Sequence, residues 1–385
     1  MKKFLGPITL MLALVCILAA CNKAHVHTEV VDEAVAPTAT ETGLTEGKHC
    51  SVCQEILVKQ EVVPALGTQG LAYKVNDDGK TCTITGRGTN TDKSIYISDT
   101  IDGYTVTGIA DYAFGGCDEL TNVIIGNSVI TIGESAFEIC GDLTSVTIGK
   151  SVTTIGEDAF CDCWSLKSFI VDKDNTTYKS QNGDLYSKDG TKLITYAVGK
   201  VNTTFKVPNS VTTIGKSAFE RANLKIVTIP DSVTTIEERA FYDCAFLKSV
   251  TIPDSVTSIG DSAFYSCYSL TSVEIGDGVT SIGNSAFQSC YFLTSVEIGD
   301  GVESIGYEAF AWCDALTSIT IPDGVTSIGD SAFEFCSSLT SVTFGGTIEQ
   351  WNAIEKVSSW NYSTGSYTVY CTDGEIAEDE TVTYY

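Results

Sequence analysis

The chain's histidines all lie near its N-terminus, beside a Cys-x-x-Cys pair. His25, His27 and His49 precede Cys50-Ser-Val-Cys53. Two imidazoles and two thiolates form the donor set of a four-coordinate zinc ion, so zinc is the one cofactor that the sequence suggests. The alternatives are a disulfide between the two cysteines, as in many exported proteins, and an unstructured spacer. The candidate metal ligands are His25, His27, Cys50 and Cys53.

Eight other cysteines recur three residues after a phenylalanine of a repeated motif. A recurrent cysteine in an exported chain invites a disulfide interpretation. Because each of these falls in the same inward apolar column, we expect free thiols that pack as small apolar side chains. Cys161 stands outside the column and is a candidate for exposure. The column consists of Cys117, Cys140, Cys163, Cys244, Cys267, Cys290, Cys313 and Cys336.

The sequence contains few candidate catalytic residues. No histidine follows His49, so neither a Ser-His-Asp nor a Cys-His arrangement can form within the repeats. No glycine-rich phosphate loop with a lysine occurs either. Carboxylates such as Asp254 and Asp277 recur in register and could support glycoside hydrolysis, but turn formation explains them more simply. We expect no enzymatic activity; a carboxylate-based hydrolase is the remaining enzymatic alternative.

A repeat of 23 residues positions these side chains. The copy after Phe219 is one residue shorter. A fixed period in this range predicts a solenoid, in which each short unit is stable only when stacked on its neighbours. The phenylalanines that mark the copies are Phe114, Phe137, Phe160, Phe219, Phe241, Phe264, Phe287, Phe310 and Phe333.

Each copy predicts a strand and two turns. Leu270-Thr-Ser-Val273-Glu-Ile275 ends in period-two alternation with β-branched residues, which favours a short strand. Asp261-Ser-Ala-Phe264 is interpreted as a single helical turn with a capping residue. The expected coil is therefore a strand, a turn, a return segment and another turn, with parallel strands about 4.8 Å apart. The predicted fold class is a β-rich solenoid.

The motif Leu-x-x-Val-x-Ile-Pro-x-x-Val-x-x-Ile-Gly-x-x-Ala-Phe-x-x-Cys resembles the BspA-like branch of the leucine-rich repeats, found on bacterial and some protist surfaces. The resemblance extends from about Gly70 to about Gly374. It implies a leucine-rich repeat solenoid that adheres to host or bacterial partners, and it brings no catalytic residues. Separately, the segment from His27 to Gly67 resembles small His…Cys-x-x-Cys modules of clostridial surface proteins.

The N-terminus indicates export. A basic start and an apolar run are typical of a secretory signal peptide over residues 1–20. Leu18-Ala-Ala-Cys21 resembles the site at which bacterial lipoproteins are cleaved and lipidated. Cys21 is therefore the candidate lipidation site, which would anchor the exported chain to the membrane at the cell surface. Ordinary cleavage near Ala20 is the alternative.

The rest of the chain is expected to contain four segments. Residues 21–69 form an anchor-proximal linker with the His/Cys module, and 70–108 form an N-terminal cap with a hairpin around Asp78-Gly79. Residues 109–345 form the solenoid, interrupted at about 172–207 by an inserted hairpin. Residues 346–385 form a C-terminal cap and tail, with a short helix over 348–355, a strand over 367–371 and a frayed acidic end after 375.

The charge of the chain restricts its partners. Its 49 acidic and 23 basic residues give a formal net charge of −26. Such a surface repels nucleic acid and anionic lipid, so no nucleic-acid partner is expected. The expected partner is a protein or glycan of a host or bacterial surface. A structural envelope or spacer protein without a single ligand is the alternative.

Two faces of the solenoid could bind such a partner. One is the strand face, a monotonous surface of threonine and serine hydroxyls with acidic residues. The other lies one, two, four and five residues after each phenylalanine, where the later copies carry aromatic residues. If exposed, these are expected to form one continuous ridge of the kind that dominates binding energy; alternatively, half of them pack between coils. They are Tyr242, Phe246, Tyr265, Tyr268, Tyr291, Phe292, Trp312 and Phe335.

Overall fold

The structure is a computed structural model that describes residues 26–39, 42–63, 66–357, 359–377 and 381–385. The predicted signal peptide, the lipidation site Cys21 and the proposed ligand His25 lie outside the described residues. The chain divides into two compact units between Gly67 and Thr68. Among the described residues, no helix has the length and apolarity needed to cross a membrane.

The described residues of the N-terminal unit form five short strands. β1 (Glu29–Asp32), β3 (Gly47–Cys50) and β4 (Ile56–Val58) form an antiparallel sheet, and β2 (Gly43–Leu44) pairs with β5 (Val62–Val63). The segment is thus folded, so the unstructured alternative is wrong. Its valines are largely exposed, and among its described residues Cys50 is the only buried hydrophobic side chain. Burial of apolar surface therefore contributes little to holding this unit together.

The second unit opens with the predicted hairpin. β6 (Ala72–Val75) pairs antiparallel with β7 (Thr81–Gly86), and Gly79 takes the left-handed conformation of the turn, with a φ of 64°. β8 (Ser94–Ile97), β9 (Thr100–Ile101) and β10 (Tyr104–Ile109) follow. β10 stacks in parallel on β7. Parallel stacking therefore begins within the segment that was expected to be only a cap.

The repeats form the predicted solenoid, and each coil contributes a strand where the alternating pattern indicated one. Except across the insertion, successive strands pair in parallel, most of them with partners 23 residues apart, as in Ser272 with Ser295. These strands are β11 (Asn122–Ile125), β13 (Ser145–Ile148), β15 (Ser168–Val171), β19 (Thr204–Lys206), β21 (Ile226–Thr228), β23 (Ser249–Ile252), β25 (Ser272–Ile275), β27 (Ser295–Ile298), β29 (Ser318–Ile321) and β31 (Ser341–Phe344).

The return segment of each coil carries a second strand that the sequence pattern did not predict. It is only two residues long, Thr-Ile or Ser-Ile, with the isoleucine turned inward. Two residues are too few to show an alternating pattern. These strands are β12 (Thr131–Ile132), β14 (Thr154–Ile155), β20 (Thr213–Ile214), β22 (Thr235–Ile236), β24 (Ser258–Ile259), β26 (Ser281–Ile282), β28 (Ser304–Ile305) and β30 (Ser327–Ile328).

A column of stacked phenylalanine rings fills the core. The rings of Phe264 and Phe287 lie 5.1 Å apart between centroids and are almost parallel. The segment before each phenylalanine is not the expected helical turn. Ser262 and Ser266 have φ values of 53° and 56°, so the chain forms tight left-handed corners. The corner N–H groups bond to the next coil instead of closing a helix; Phe264 donates to the Ala286 carbonyl oxygen at 2.7 Å.

The predicted insertion is a three-stranded antiparallel meander. β16 (Tyr178–Gln181), β17 (Asp184–Ser187) and β18 (Lys192–Thr195) replace the regular coil, and the repeats resume at β19. The inserted hairpin is confirmed, with a third strand beyond it. The core of this unit accordingly forms two hydrophobic clusters, which meet at the insertion.

The C-terminal cap follows its predicted order. Helix α1 (Ile348–Ala353) begins at a capping box between Thr347 and Gln350, and β32 (Glu355–Lys356) and β33 (Thr368–Cys371) follow. The expectation of a frayed tail is wrong for the described residues. β34 (Gly374–Ile376) and β35 (Val382–Tyr384) extend the sheet as antiparallel strands, because β34 pairs with the open edge of β33 and β35 pairs with β34.

Candidate functional site

The aromatic face is largely accessible. The side chains of Phe246 and Phe292 are 51% and 63% exposed, and Tyr268, Tyr291 and Trp312 are between 37% and 39% exposed. The remaining three predicted residues are half-buried: Tyr242, Tyr265 and Phe335. Exposed aromatic side chains on consecutive coils form a surface that can contact a partner.

The rings form separate stacks and not one continuous ridge. Tyr242 stacks on Tyr265 with centroids 4.9 Å apart, and Tyr268 stacks on Tyr291 at 5.5 Å. The third stack joins Trp312 to Phe335 at 4.1 Å. Each stack occupies a different position of the repeat, so stacking does not pass from one to the next. The expectation of a single ridge is therefore wrong, although coil spacing does bring like positions into ring contact.

The threonines of the strand face already have structural partners. Thr271 and Thr294 are exposed, but each donates its hydroxyl to a backbone carbonyl oxygen of the preceding coil, at 3.1 and 2.9 Å. Thr340 does the same toward Thr317 at 3.1 Å. These hydroxyls add a bond between coils, which explains their recurrence without a ligand.

The recurrent aspartates also act within the solenoid. The Asp254 carboxylate accepts the Asp277 N–H at 3.0 Å, and the Asp277 carboxylate accepts the Asp300 N–H at the same distance. The Asp261 carboxylate accepts the Asn284 N–H at 2.8 Å. A carboxylate that accepts a backbone N–H in each successive turn performs a structural task, as turn-forming aspartates do.

The recurrent cysteines lie inside the core as thiols. The Cys267 thiol donates to the Phe241 carbonyl oxygen at 3.3 Å, and Cys290 and Cys313 make the equivalent bond with the preceding coil. Seven of the eight are fully buried, and Cys117 is half-buried. Burial raises the pKa of the Cys290 thiol to about 12. Neutral buried thiols are chemically inert, which fits a packing role.

The N-terminal unit brings three of the four predicted metal ligands together. The donor atoms of His27, Cys50 and Cys53 all lie within 4.8 Å of one another, and Cys53 Sγ is 3.6 Å from His27 Nδ1. The His27 Nε2 atom lies 3.5 Å from a carboxylate oxygen of Glu55. His49 is directed elsewhere, with Nδ1 2.8 Å from Asp32 Oδ1. These three donors fit a zinc ion in type, and one further ligand would complete a four-coordinate site.

A cleft that the sequence did not reveal lies at the inserted meander. It has a volume of about 320 Å³. Its lining comes from the coil that contains Phe160 (the Phe160 coil), from the meander and from the coil that contains Phe219 (the Phe219 coil). Trp164, 51% exposed, and several carboxylates form its walls. Cys161, which was a candidate for exposure, is half-buried in this cleft beside Glu220. No signal in the sequence could place residues 59 positions apart side by side.

Comparison with known proteins agrees with this architecture. The family described as "BspA type Leucine rich repeat region" matches residues 93–182, 199–315 and 303–356, more than half of the chain. No curated protein sequence matches the chain.

Two crystal structures share the fold. A leucine-rich repeat protein from Eubacterium ventriosum is 24% identical, with a TM-score of 0.57, over 77% of this chain and 93% of its own. The pneumococcal vaccine antigen PcpA is 21% identical, with a TM-score of 0.57, over 88% of this chain and 89% of its own.

Proposed function

The chain belongs to the BspA-type leucine-rich repeat family, and on that premise we propose that it is a non-catalytic adhesin. It binds a protein or glycan of a host or bacterial surface through the aromatic face. After export, lipidated Cys21 anchors it to the membrane at the cell surface. The pneumococcal antigen with the same fold supports an exposed location by analogy of fold alone.

The observation that carries this proposal is the exposure of aromatic side chains that the core does not require. The core phenylalanine, leucine and cysteine columns are complete without Tyr268, Tyr291 and Trp312, whose rings nevertheless lie on the surface. Aromatic rings give large contact area at low entropic cost because few torsions are fixed on binding. The strand face offers a partner fewer available groups, since its threonine hydroxyls already donate hydrogen bonds to backbone carbonyl oxygens.

The test is binding to an array of glycans and extracellular-matrix proteins by the full-length exported chain. The combined variant Tyr268→Ala, Tyr291→Ala and Trp312→Ala is expected to lose binding, with each anchor residue contributing about 2 kcal/mol or more. The matched control is Glu274→Ala, Glu297→Ala and Thr320→Ala on the strand face, all exposed. Loss in the control with normal binding by the aromatic variant would place the partner on the strand face. Circular dichroism checks that both variants are folded.

An array on which the unmodified protein binds nothing would favour the spacer alternative.

The anchor is tested separately, in whole cells. Cys21→Ser is expected to block lipidation and processing and to release the chain from the membrane fraction, because two or more acyl chains supply the membrane affinity. A processed Cys21→Ser form that still fractionates with membranes would rule out this anchor.

The N-terminal unit suggests a second role, a zinc-stabilised spacer between anchor and solenoid. Cys50 is the one buried apolar side chain among the described residues of this unit, and this, combined with the His27, Cys50 and Cys53 cluster, favours a metal cross-link. His25, or the Glu55 carboxylate, completes the four ligands. Metal analysis is expected to find about one zinc ion in this unit, lost in Cys50→Ser/Cys53→Ser. A disulfide between these two cysteines in the purified protein would exclude the site.

A further inference from the structure

The stacking of coils is interrupted at one place, between Phe160 and Phe219. In the regular solenoid each core phenylalanine donates its N–H to the alanine carbonyl of the next coil, as Phe137 does to Ala159 at 2.8 Å. At the interruption, the Ala218 carbonyl oxygen instead accepts the N–H of Tyr196, from the meander, at 2.8 Å. The Phe160 coil and the Phe219 coil therefore face each other across the cleft without the usual backbone bond.

Polar atoms without partners concentrate in this cleft. Among the described residues, nine buried side-chain polar atoms have no hydrogen-bond partner, and five of them belong to residues that line it. Buried polar groups in folded proteins are nearly always paired, so such a cluster indicates an occupant, either water or an ion. The five atoms are Asp158 Oδ1, Asp162 Oδ1, Tyr196 OH, Ser217 Oγ and Glu220 Oε2.

Three groups in the cleft have the chemistry of metal ligands. Donor atoms of Asp158, Cys161 and Glu220 all lie within 4.8 Å of one another. Glu220 is the most deeply placed, with its side chain 5% exposed. Asp158 and Cys161 belong to the Phe160 coil and Glu220 belongs to the Phe219 coil, so an ion held by all three would join the two sides of the cleft.

Arg239 contacts one carboxylate oxygen of Glu220 and one of Asp158, and it leaves the second oxygen of each carboxylate available. Its Nη2 atom lies 2.7 Å from Glu220 Oε1, and its Nη1 atom lies 3.6 Å from Asp158 Oδ2. The opposite oxygens, Glu220 Oε2 and Asp158 Oδ1, are the ones without a partner. The Ser217 hydroxyl also lies beside Glu220. Carboxylates oriented in this way by an outer partner are typical of metal sites.

We propose that Asp158, Cys161 and Glu220 bind a zinc-like divalent cation that cross-links the two coils where backbone stacking fails. The thiolate ligand favours zinc over magnesium or calcium, which prefer oxygen ligands. On binding, Cys161 releases its proton to solvent and its sulfur bonds to the metal, with no change of oxidation state. Three anionic ligands beside cationic Arg239 leave two negative charges, which a divalent ion cancels. Ser217 Oγ, Asp162 Oδ1 or a water completes the tetrahedron.

The experiment uses the full chain with Cys50→Ser and Cys53→Ser, so that the N-terminal unit contributes no thiolate ligands. Zinc titrated into metal-free protein is expected to bind at about one ion per chain. Cobalt should produce the charge-transfer absorption of a metal–thiolate bond. In that background Cys161→Ser and Glu220→Gln are expected to weaken zinc binding by more than the roughly 10- to 100-fold that loss of an outer partner costs. Cys117→Ser, a half-buried thiol outside the cleft, is the matched control and should bind normally.

A second readout does not depend on the variants folding. Zinc, but not magnesium, is expected to raise the thermal unfolding midpoint of the same protein, because the ion binds the folded cleft and not the unfolded chain. Failure of zinc to bind in the Cys50→Ser/Cys53→Ser protein, or a midpoint that zinc does not raise, would overturn the proposal and leave water as the occupant of the cleft. Either outcome leaves the adhesin proposal untouched, because the cleft and the aromatic stacks are tested by different variants.

Discussion

The repeated cysteine shows how one residue type serves two needs in the coils that carry it. Its sulfur fills an apolar position, and its S–H donates to the phenylalanine carbonyl of the preceding coil, as Cys267 does to Phe241 at 3.3 Å. The inward apolar role could be predicted from the sequence, because the position recurs within an apolar column. The hydrogen bond could not be predicted, since it depends on where the tight corner directs that carbonyl.

These thiols are expected to resist alkylation in the folded protein. Alkylating reagents react with the thiolate, and burial raises the pKa of Cys290 to about 12, so almost none of it is ionised at pH 8. Peptide mass spectrometry after iodoacetamide treatment should find Cys290 unmodified in native protein and fully modified in urea. Modification at equal rates in both states would show that the column is open to solvent. Resistance in urea until a reductant is added would reveal a disulfide.

The left-handed corners should make some serines sensitive to β-branching. Ser262 has a φ of 53°, a conformation that β-branched residues adopt only with strain. We expect Ser262→Val to lower the free energy of unfolding by about 1–3 kcal/mol, whereas Ser262→Gly should maintain or raise it. Ser281→Val on β26 is the control, because strand backbone accommodates valine well. Urea unfolding measures all three; equal effects of the two valine variants would contradict the backbone explanation.

At the scale of elements, local patterns were predictable and distant juxtapositions were not. The turn pairs Asn182-Gly183 and Asp189-Gly190 correctly indicated strands within the insertion. The same sequence could not show that the insertion leaves a cleft between Asp158 and Glu220, because that depends on how the meander replaces a coil. The aromatic positions could likewise be predicted from the repeat. Their division into three stacks follows from the position within the repeat at which each copy carries its aromatic residue.

The inserted meander is expected to depend on one buried ion pair. Asp184, with its side chain 1% exposed, lies 2.5 Å from Lys200 Nζ and accepts the Ala197 N–H at 2.9 Å. Asp184→Ala would leave a largely buried ammonium group and a backbone N–H without partners, so it should lower the free energy of unfolding by about 3–5 kcal/mol. Asp174→Ala, which removes the exposed partner of Lys173, should change it by less than about 1 kcal/mol. Similar urea midpoints for the two variants would refute this dependence.

For the second compact unit as a whole, the sequence period predicted the solenoid but not the division of its core into two hydrophobic clusters. Stability in such folds is approximately a sum over neighbouring coils, so a weak interface between two coils matters more than in a globular core. The phenylalanine column stops at Phe160, whose ring meets Phe169 edge-on, and a second column starts at Phe219, which contacts Tyr196. One cluster extends from Leu71 to Ala197 and the larger one from Tyr186 to Cys371. The interruption therefore separates two columns that each stack continuously.

We expect these two clusters to unfold at different urea concentrations, the smaller N-terminal one first because fewer coils support it. Pulsed alkylation reports each cluster through its own thiols: Cys140 for the first and Cys313 for the second, both fully buried. Phe137→Leu should lower only the transition seen at Cys140, and Phe287→Leu only the one seen at Cys313, since each removes ring stacking from a single column. A single transition at both cysteines, shifted equally by either variant, would mean that the meander couples the two columns as tightly as a regular coil does.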